Sequence, residues 1–275
     1  MQIISISSLK GGVGKTSVTL GLASAARAAG IPTLVVDMDP HADATTGLGV
    51  SQDAAGEEIG ALLTQPRRHR LSDHTAPSGW PEPTGAEGGS AQVLDVVRGS
   101  SRTSLFERPS TRARDLRRLS TLLDTVTRYA LVLIDCPPAL NGVTRMAWAA
   151  STDVLLVAEP SLFSVAGTER TLRALDLFRR EYAQGVKTTR VVANRVRPSS
   201  TEHQFRLSEM DRMFGDRLLP THLVEQSNWQ QIQGAAWPVH AWPGETAAQA
   251  SALFDEVLAS IHRPQTDRRS ARRGG

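Results

Sequence analysis

Short apolar runs alternate along the chain with longer segments in which apolar residues recur at helical spacing. The runs that predict buried strands are Ile3–Ile6, Thr33–Val36, Gln92–Val97, Ala130–Ile134, Asp153–Ala158, Thr189–Ala193 and a last short one at Leu218–Pro220. The segments that predict helices are Thr16–Ala29, Pro109–Thr127, Gly167–Tyr182 and a closing helix that includes Leu253–Ile261. Strands that alternate with helices are typical of a parallel sheet covered by helices. We therefore predict an α/β fold with a doubly wound, mostly parallel sheet and helices on both faces.

The alternation of strand and helix patterns stops between Gln65 and Gly89, where the sequence RRHR is followed by several prolines and a run of Gly and Ser. No periodicity survives there, so we predict a flexible surface loop inserted within the domain, with its arginines as solvated charges. A chain of 275 residues with 40% hydrophobic content can bury one large core. We predict a single domain over residues 1–263 and a basic, disordered tail over residues 264–275.

Composition excludes several classes of protein. No apolar run is long enough to span a bilayer, and the first residues lack the charged-then-apolar pattern of a signal peptide, so we expect a cytoplasmic protein. Cys136 is the only cysteine, which rules out an intramolecular disulfide and an iron–sulfur cluster held by the cysteines of one chain.

The positive charge is concentrated at the end of the chain. There are 31 Lys and Arg against 28 Asp and Glu, and the stretch from Arg263 onwards holds five arginines and one acid, Asp267. The rest of the chain is close to neutral. Such a tail could contact nucleic acid or an anionic surface, and it could equally be a solvated terminus without a partner.

The segment Ser8–Ser17, SLKGGVGKTS, follows the first predicted strand, where a phosphate-binding loop would lie. Its three glycines, which allow backbone N–H groups to turn towards an anion, are Gly11, Gly12 and Gly14. Lys15 would add a positive charge near the β- and γ-phosphates, and Thr16 would offer a hydroxyl to Mg²⁺. The helix that starts here would direct its positive end at the same anion.

The loop departs from the strict P-loop pattern because its first glycine would fall on Leu9, and Lys10 is an additional lysine at its head. It resembles the deviant Walker A motif, K-G-G-x-x-K-[ST], of the ParA/MinD family of dimeric P-loop ATPases. The resemblance implies that Lys10 reaches across a nucleotide-sandwich dimer to the phosphates bound by the other subunit. It also implies that ATP is bound by Lys10, Gly11, Gly12, Val13, Gly14, Lys15, Thr16 and Ser17.

The second predicted strand runs directly into Asp37-Met38-Asp39-Pro40-His41, and ligands of open α/β sheets bind at this end of the strands. The text resembles switch I of the same family, usually D-x-D-P-Q, with His41 in place of the glutamine. The resemblance implies that Asp39 positions the attacking water and contacts the metal, and that Asp37 supports the magnesium shell. The alternative is a loop in which these acids cap the following helix.

A further acid, Asp135, ends the apolar strand LVLI and is followed by Cys136-Pro137-Pro138. A carboxylate at a strand tip can reach magnesium through its water shell, as a Walker B site requires. The text matches the D-x-P-P of the family, so we assign Asp135, together with Thr16, to the metal. Cys136 is interpreted as a packed spacer.

Two positions are candidates for contact with the base. Asn194 follows the strand Thr189–Ala193, where family members place an asparagine that reads adenine, and an amide offers both a donor and an acceptor. Asparagine is also a common turn residue, so both interpretations stay open. Pro220 belongs to the last short strand, whose family counterpart lies beside the base.

The resemblance covers nearly the whole chain apart from the Gln65–Gly89 insert and the tail. It implies a partition ATPase: ATP and Mg²⁺ close a homodimer, the dimer binds nucleoid DNA without sequence preference, and a ParB-like partner stimulates hydrolysis. However, Thr221 and Gly244-Glu245 stand where many DNA-binding members carry arginines. DNA contacts would then come from the tail or from Arg195, Arg197, Arg206, Arg212 and Arg217, each of which could also be a solvated charge.

Two other functions stay open. One is a MinD-like positioning ATPase on a membrane or a protein scaffold, although no large apolar residue follows Ile261 to build a membrane-binding helix. The other is an inactive nucleotide-binding scaffold, against which the intact Lys10, Lys15, Asp39 and Asp135 argue.

Overall fold

The computed structural model describes residues 1–81, 93–109 and 112–263. The predicted tail and residues 82–89 of the predicted insert lie outside the described residues. Within them, one sheet contains seven strands in the order β3-β4-β2-β5-β1-β6-β7, all parallel except β3, which pairs antiparallel with β4. The strands are β1 (Gln2–Ser7), β2 (Thr33–Asp37), β3 (Ala76–Pro77), β4 (Leu94–Val97), β5 (Leu131–Asp135), β6 (Asp153–Ala158) and β7 (Thr188–Ala193).

Ten α-helices and several turns of 3-10 helix are found in the described ranges. The α-helices are α1 (Lys15–Ala28), α2 (Asp43–Gly47), α3 (Ile59–Leu62), α4 (Ala113–Leu116), α5 (Arg118–Leu123), α6 (Gly142–Ala150), α7 (Leu162–Glu181), α8 (Thr201–Phe214), α9 (Trp229–Gly234) and α10 (Glu245–Ile261). The 3-10 turns are Pro66–Arg68, Leu71–His74, Ser101–Phe106, Gly215–Arg217 and Val239–Ala241.

The strands are apolar on both faces because helices cover both faces of the sheet. Ile4 and Ile6 of β1 pack into the cluster formed with α1 and α10. Val132 and Ile134 of β5 point the other way, into a cluster with α3, α5 and α6. A third cluster joins β6 and β7 to α7 and α8. This arrangement confirms the predicted doubly wound α/β fold.

The register brings acidic strand ends together. Asp37, the last residue of β2, is the direct neighbour of Asp135, the last residue of β5. On the other side of β5, Asp135 lies opposite Ile6 of β1, immediately before the loop that leads into α1. The carboxyl ends of these three central strands therefore form one site, as expected for a sheet of this topology.

The insert is more ordered than the sequence predicts. Between Gln65 and Pro81 the chain forms two 3-10 turns and the edge strand β3, and Trp80 is buried. The Trp80 indole Nε1–H donates to the carbonyl of Gly47 at 2.7 Å, and Gly79 N–H donates to the carbonyl of Leu48 at 2.8 Å. The prediction of a flexible loop is wrong for residues 65–81, because Trp80 provides an apolar anchor that the proline and glycine content of the segment obscures.

Three other boundaries need correction. The predicted helix Pro109–Thr127 is two short helices, α4 and α5, that meet at Arg117. Helix α7 starts at Leu162, five residues earlier than predicted, so Gly167 lies inside it. The predicted last strand at Leu218–Pro220 is a single bridge from Leu218 to Val191.

Replacing Trp80 with Ala tests whether the insert is part of the core. We expect W80A to lower the free energy of unfolding by about 3–5 kcal/mol, since it leaves a cavity and removes the hydrogen bond to Gly47. Trp237 is 39% exposed, and W237A should cost less than about 1 kcal/mol. Denaturant titration of both variants makes the comparison, and equal losses would contradict the buried anchor.

Candidate functional site

The loop between β1 and α1 has the backbone of an anion-binding cradle. Gly12 and Gly14 adopt φ of 78° and 89°, values that side chains disfavour, and α1 begins directly after Gly14. A Cβ on Gly11 or Gly12 would meet no atom within 4 Å, so the space in front of the loop is open. The free N–H groups at the start of a 14-residue helix face this space.

Asp135 connects this loop to the sheet. Its two carboxylate oxygens accept hydrogen bonds from the Thr16 and Thr19 hydroxyls, at 2.7 and 2.8 Å. The side chain is fully buried, and burial raises its pKa to about 6 against the opposing effect of the two threonines and of Lys15. Thr16 and Asp135 are therefore already paired where a hydroxyl and a carboxylate are needed for a metal.

Lys15 lies in the same cluster and is 7% exposed. Burial lowers the pKa of its ammonium group, while the nearby Asp135 and Asp39 carboxylates act in the opposite direction. A buried ammonium beside an open cradle of backbone N–H groups is suited to an anion, which would restore its lost solvation.

Asp37 is hydrogen bonded to the segment that follows β2. Its Oδ2 accepts hydrogen bonds from the Thr45 backbone N–H and the Thr45 hydroxyl, and its Oδ1 accepts one from Asp39 N–H. Burial raises the pKa of Asp37 to about 8, and the neighbouring Asp135 adds to the rise. Thr45 in turn accepts a hydrogen bond from Gly99 N–H, so Asp37 holds the start of α2 against the end of β4. A role in the magnesium shell stays a prediction.

Asp39 is 8% exposed, and its carboxylate is close enough to Lys15 to counteract the lowering of the lysine pKa. Its Oδ1 accepts a hydrogen bond from the His41 backbone N–H at 3.0 Å, and Ala42 follows in the left-handed conformation. The second carboxylate oxygen has no protein donor within the described ranges. Asp39 is thus held in place with one oxygen available for a water molecule.

These residues fit a magnesium nucleotide. Within the described residues, no cluster of three or more His, Cys, Asp or Glu could hold a metal alone. Mg²⁺ usually keeps several waters and takes one or two protein oxygens together with phosphate oxygens. The Thr16 hydroxyl and the Asp135 carboxylate supply such oxygens beside the cradle.

Lys10 stands at the rim of the loop and is turned away from the cradle. Its Nζ lies 3.0 Å from Glu159 Oε2 and 3.3 Å from Ser161 Oγ, at the end of β6 and the start of α7. The side chain is 40% exposed. Sequence reasoning could not foresee this pair, since 149 residues separate the two partners. The role of Lys10 in a second subunit stays a prediction.

Asn194 lies against the loop rather than free in a turn. Its Nδ2 donates to the Val13 carbonyl at 2.8 Å, and a Cβ on Gly14 would lie 2.4 Å from that nitrogen. A cavity of about 510 Å³ opens beside it, with Ser17 on one wall and Leu253 of α10 on another. Asn194 is therefore placed where a base attached to bound phosphates could reach it.

The remaining walls of this cavity come from residues that sequence reasoning missed. Residues 223–227 and helix α9 line it, including Trp229, Gln230 and Gln233. Gln233 is hydrogen bonded to Ser17 Oγ at 3.1 Å, which ties α9 to the first turn of α1. Pro220, the predicted second base contact, is exposed and does not line the cavity. The sequence SNWQQIQ could have indicated this wall of the cavity, since its spacing fits a short helix with Trp229 and Gln233 on one face.

None of the helices in the described part of the chain combines the length and the apolar composition that crossing a bilayer requires.

Known proteins resemble this chain in sequence. A family model described as an AAA domain matches residues 1–188, which include the loop, Asp39 and Asp135. The chromosome partitioning protein ParA of Myxococcus xanthus is 32% identical over 183 residues, covering 64% of this chain and 58% of that protein. ParA of Caulobacter vibrioides is 31% identical over 183 residues, covering 65% of this chain and 64% of that protein. The matches therefore span about three fifths of the length of these relatives.

Solved structures share the fold over most of the chain. A variant of McdA from Cyanothece in complex with ATP has a TM-score of 0.80 at 17% identity, covering 97% of this chain and 98% of that one. The septum site-determining protein MinD of Pyrococcus horikoshii with Mg-ADP has a TM-score of 0.71 at 22% identity, covering 94% and 95%. At these identities the likeness establishes the fold alone.

Replacing Thr45 with Val tests the link from Asp37 to Gly99. We expect T45V to lower the free energy of unfolding by about 1–3 kcal/mol, because a buried carboxylate loses a donor and a buried N–H loses its acceptor. The adjacent Thr46 is exposed, and T46V should change stability by less than about 0.5 kcal/mol. Chemical denaturation at pH 7 measures both, and a T45V variant as stable as T46V would exclude the link.

Proposed function

The chain belongs to the ParA/MinD family of P-loop ATPases, and we propose that it is a partition-type ATPase. In this proposal it binds ATP with Mg²⁺, pairs with a second copy, and binds DNA without sequence preference until a partner stimulates hydrolysis. The observation that carries the proposal is the convergence of Lys15, Thr16, Asp39 and Asp135 on one open cradle, with Lys10 exposed at its rim. The names of the matching ParA proteins support the partition role.

The protein's contribution to hydrolysis follows from these contacts. Phosphoryl transfer needs positioning and charge stabilisation more than covalent chemistry by the protein. The backbone N–H groups of the cradle and the Lys15 ammonium would hold the phosphates, and Thr16 with Asp135 would hold Mg²⁺. When bound, Mg²⁺ supplies neutralisation of the charge that develops on the phosphate oxygens. Asp39, held at one oxygen by His41 N–H, would orient the attacking water with the other.

Lys10 would have to leave Glu159 and Ser161 before it could reach the nucleotide of another subunit. Its pair with Glu159 is partly exposed, and such pairs contribute about 0–1 kcal/mol, so phosphate charges can displace it. In the proposal, ATP in one subunit therefore attracts Lys10 of the other. A ParB-like, DNA-bound protein is the proposed stimulating partner.

Two substitutions separate binding, pairing and hydrolysis. We expect D39A to bind ATP, accumulate as a dimer and lose at least about tenfold in turnover, because the water is no longer oriented. K10A should bind ATP and stay monomeric. Asp43 is an exposed acid four residues away, and D43A should behave as wild type. Size-exclusion chromatography with ATP and phosphate-release assays provide the readouts, and normal turnover by D39A would remove Asp39 from this role.

Binding to a duplex of unrelated sequence, measured with ATP, with ADP and without nucleotide, tests the DNA part of the proposal. We expect binding with ATP only, and affinity that falls steeply as salt is added, since arginine–phosphate contacts release counterions. A chain ending at His262 shows whether the terminal arginines contribute. A dimer that forms with ATP and binds no DNA would favour the alternative, a positioning ATPase on a protein scaffold or a membrane, and liposome flotation would separate these two.

A further inference from the structure

The arginines that the sequence offers for DNA contact are already engaged. Each has a partner: Arg195 with the Gly12 carbonyl, Arg197 with Glu225, Arg206 with Glu202 and Glu209, Arg212 with the Ser208 carbonyl, and Arg217 with Asp176. At the position of the missing family arginine, Thr221 donates to Glu256 at 2.9 Å. At three of the five positions, Arg197, Arg206 and Arg217, a polyanion would have to compete with a carboxylate.

The surface beside Arg217, at the end of α7, carries two arginines without such partners. At the end of α7, Arg179 and Arg180 line a groove of about 430 Å³ together with Gln184, Arg217 and Asp176. Within the described part of the chain, neither Arg179 nor Arg180 makes an ion pair or a side-chain hydrogen bond. The acid of this groove, Asp176, is already paired with Arg217 at 2.9 Å.

A second groove continues this surface. It has a volume of about 310 Å³ and contains Lys187, Arg190 and Arg263 with one acid, Asp153, which is paired with Arg263 at 2.6 Å. Neither Lys187 nor Arg190 has an acidic partner among the described residues. Arg190 joins the two grooves, because its guanidinium donates to the Asp216 carbonyl, next to Arg217.

We name this surface the basic edge, formed by Arg179, Arg180, Lys187, Arg190, Arg217 and Arg263. Its six cations face two lining acids, both of which are already paired, so four cations lack an acidic partner. The whole chain has a net charge of only +3. The basic edge therefore carries more positive charge than its own lining acids balance.

The basic edge lies away from the nucleotide site. Lys187 and Asp153 stand at the amino ends of β7 and β6, whereas the cradle lies at the carboxyl ends of the central strands. A ligand on the basic edge would leave Lys10 and the cradle accessible to ATP and to a second copy. Arginines in the last turn of α7 also complement the helix dipole, but that role uses neither the grooves nor Lys187 and Arg190.

We propose that the basic edge binds the phosphodiester backbone of duplex DNA, with Arg179 and Arg180 as its central contacts. Guanidinium groups bind phosphate oxygens with two parallel hydrogen bonds, and a row of them follows a backbone without reading bases. The proposal rests on the proposed function, since it locates the DNA contact of the partition ATPase. It keeps one of the predicted arginines, Arg217, and places the other contacts at the end of α7 and at the amino ends of β6 and β7.

The test compares two double variants that each remove two consecutive arginines from the full chain. One is R179Q/R180Q on the basic edge, and the matched control is R67Q/R68Q in the first 3-10 turn of the insert. Affinity for a fluorescent random duplex is measured with ATP at several salt concentrations. We expect R179Q/R180Q to bind about tenfold more weakly and the slope of log affinity against log salt to fall by about two, one for each lost phosphate contact.

R67Q/R68Q should stay within about twofold of wild type. Melting temperature and ATP-driven dimerisation should be unchanged in both variants, which excludes a folding defect. If wild type binds DNA and R179Q/R180Q retains its affinity and slope, the basic edge is excluded and the partition function stands. If wild type binds no duplex with ATP, the DNA part of the proposed function fails first. If wild type binds phosphatidylglycerol vesicles but no duplex, and R179Q/R180Q loses the vesicle binding, the basic edge binds a lipid surface and the proposal is overturned.

Discussion

The buried carboxylate of Asp135 connects helix α1 to the central strand β5. It stands at the tip of β5 and accepts hydrogen bonds from Thr16 and Thr19, one turn apart in α1. A buried carboxylate without such donors would cost several kcal/mol, so the start of α1 is fixed relative to the sheet. The Gly-rich loop between β1 and α1 is then held between two fixed ends. Its open cradle is a consequence of this bond as much as of its glycines.

Asp135 and its neighbour Asp37 bring two buried carboxyl groups together, and the surrounding residues compensate their charge. Asp37 is its direct neighbour in the sheet, and burial raises the pKa of both carboxyl groups. Lys15 is the nearest compensating cation, although burial lowers its own pKa. Asp37 accepts three hydrogen bonds from Thr45 and Asp39, and these donors stabilise its negative charge while they hold the segment that carries Asp39. A divalent cation beside Asp135 would favour the ionised carboxylates further.

The sequence predicts those features of the structure that depend on residues close together in the chain. The strands are visible because they are apolar on both faces, and the cradle is visible because Gly12 and Gly14 must adopt positive φ. Contacts between distant segments are not visible in this way. The bond from Trp80 to Gly47 orders residues 65–81, which read as a loop, and the bond from Gln233 to Ser17 places α9 beside the cavity that Asn194 lines. The pair of Lys10 with Glu159 is of the same kind, because each residue alone is an ordinary surface charge.

Helix α7 links the two surfaces on which the proposed function depends. Its first turn follows Ser161, which lies beside Lys10, and its last turn carries Arg179 and Arg180. A helix of 20 residues is about 30 Å long, so one rigid element runs from the rim of the nucleotide site to the basic edge. Release of Lys10 from Glu159 would change the contacts at one end of this helix. The helix packs along the sheet through residues such as Val165, Leu172 and Phe178, so its two ends belong to one packed element. The contact that Lys10 makes at Ser161 and the arginines of the basic edge are therefore held by the same helix, independently of the sheet hydrogen bonds.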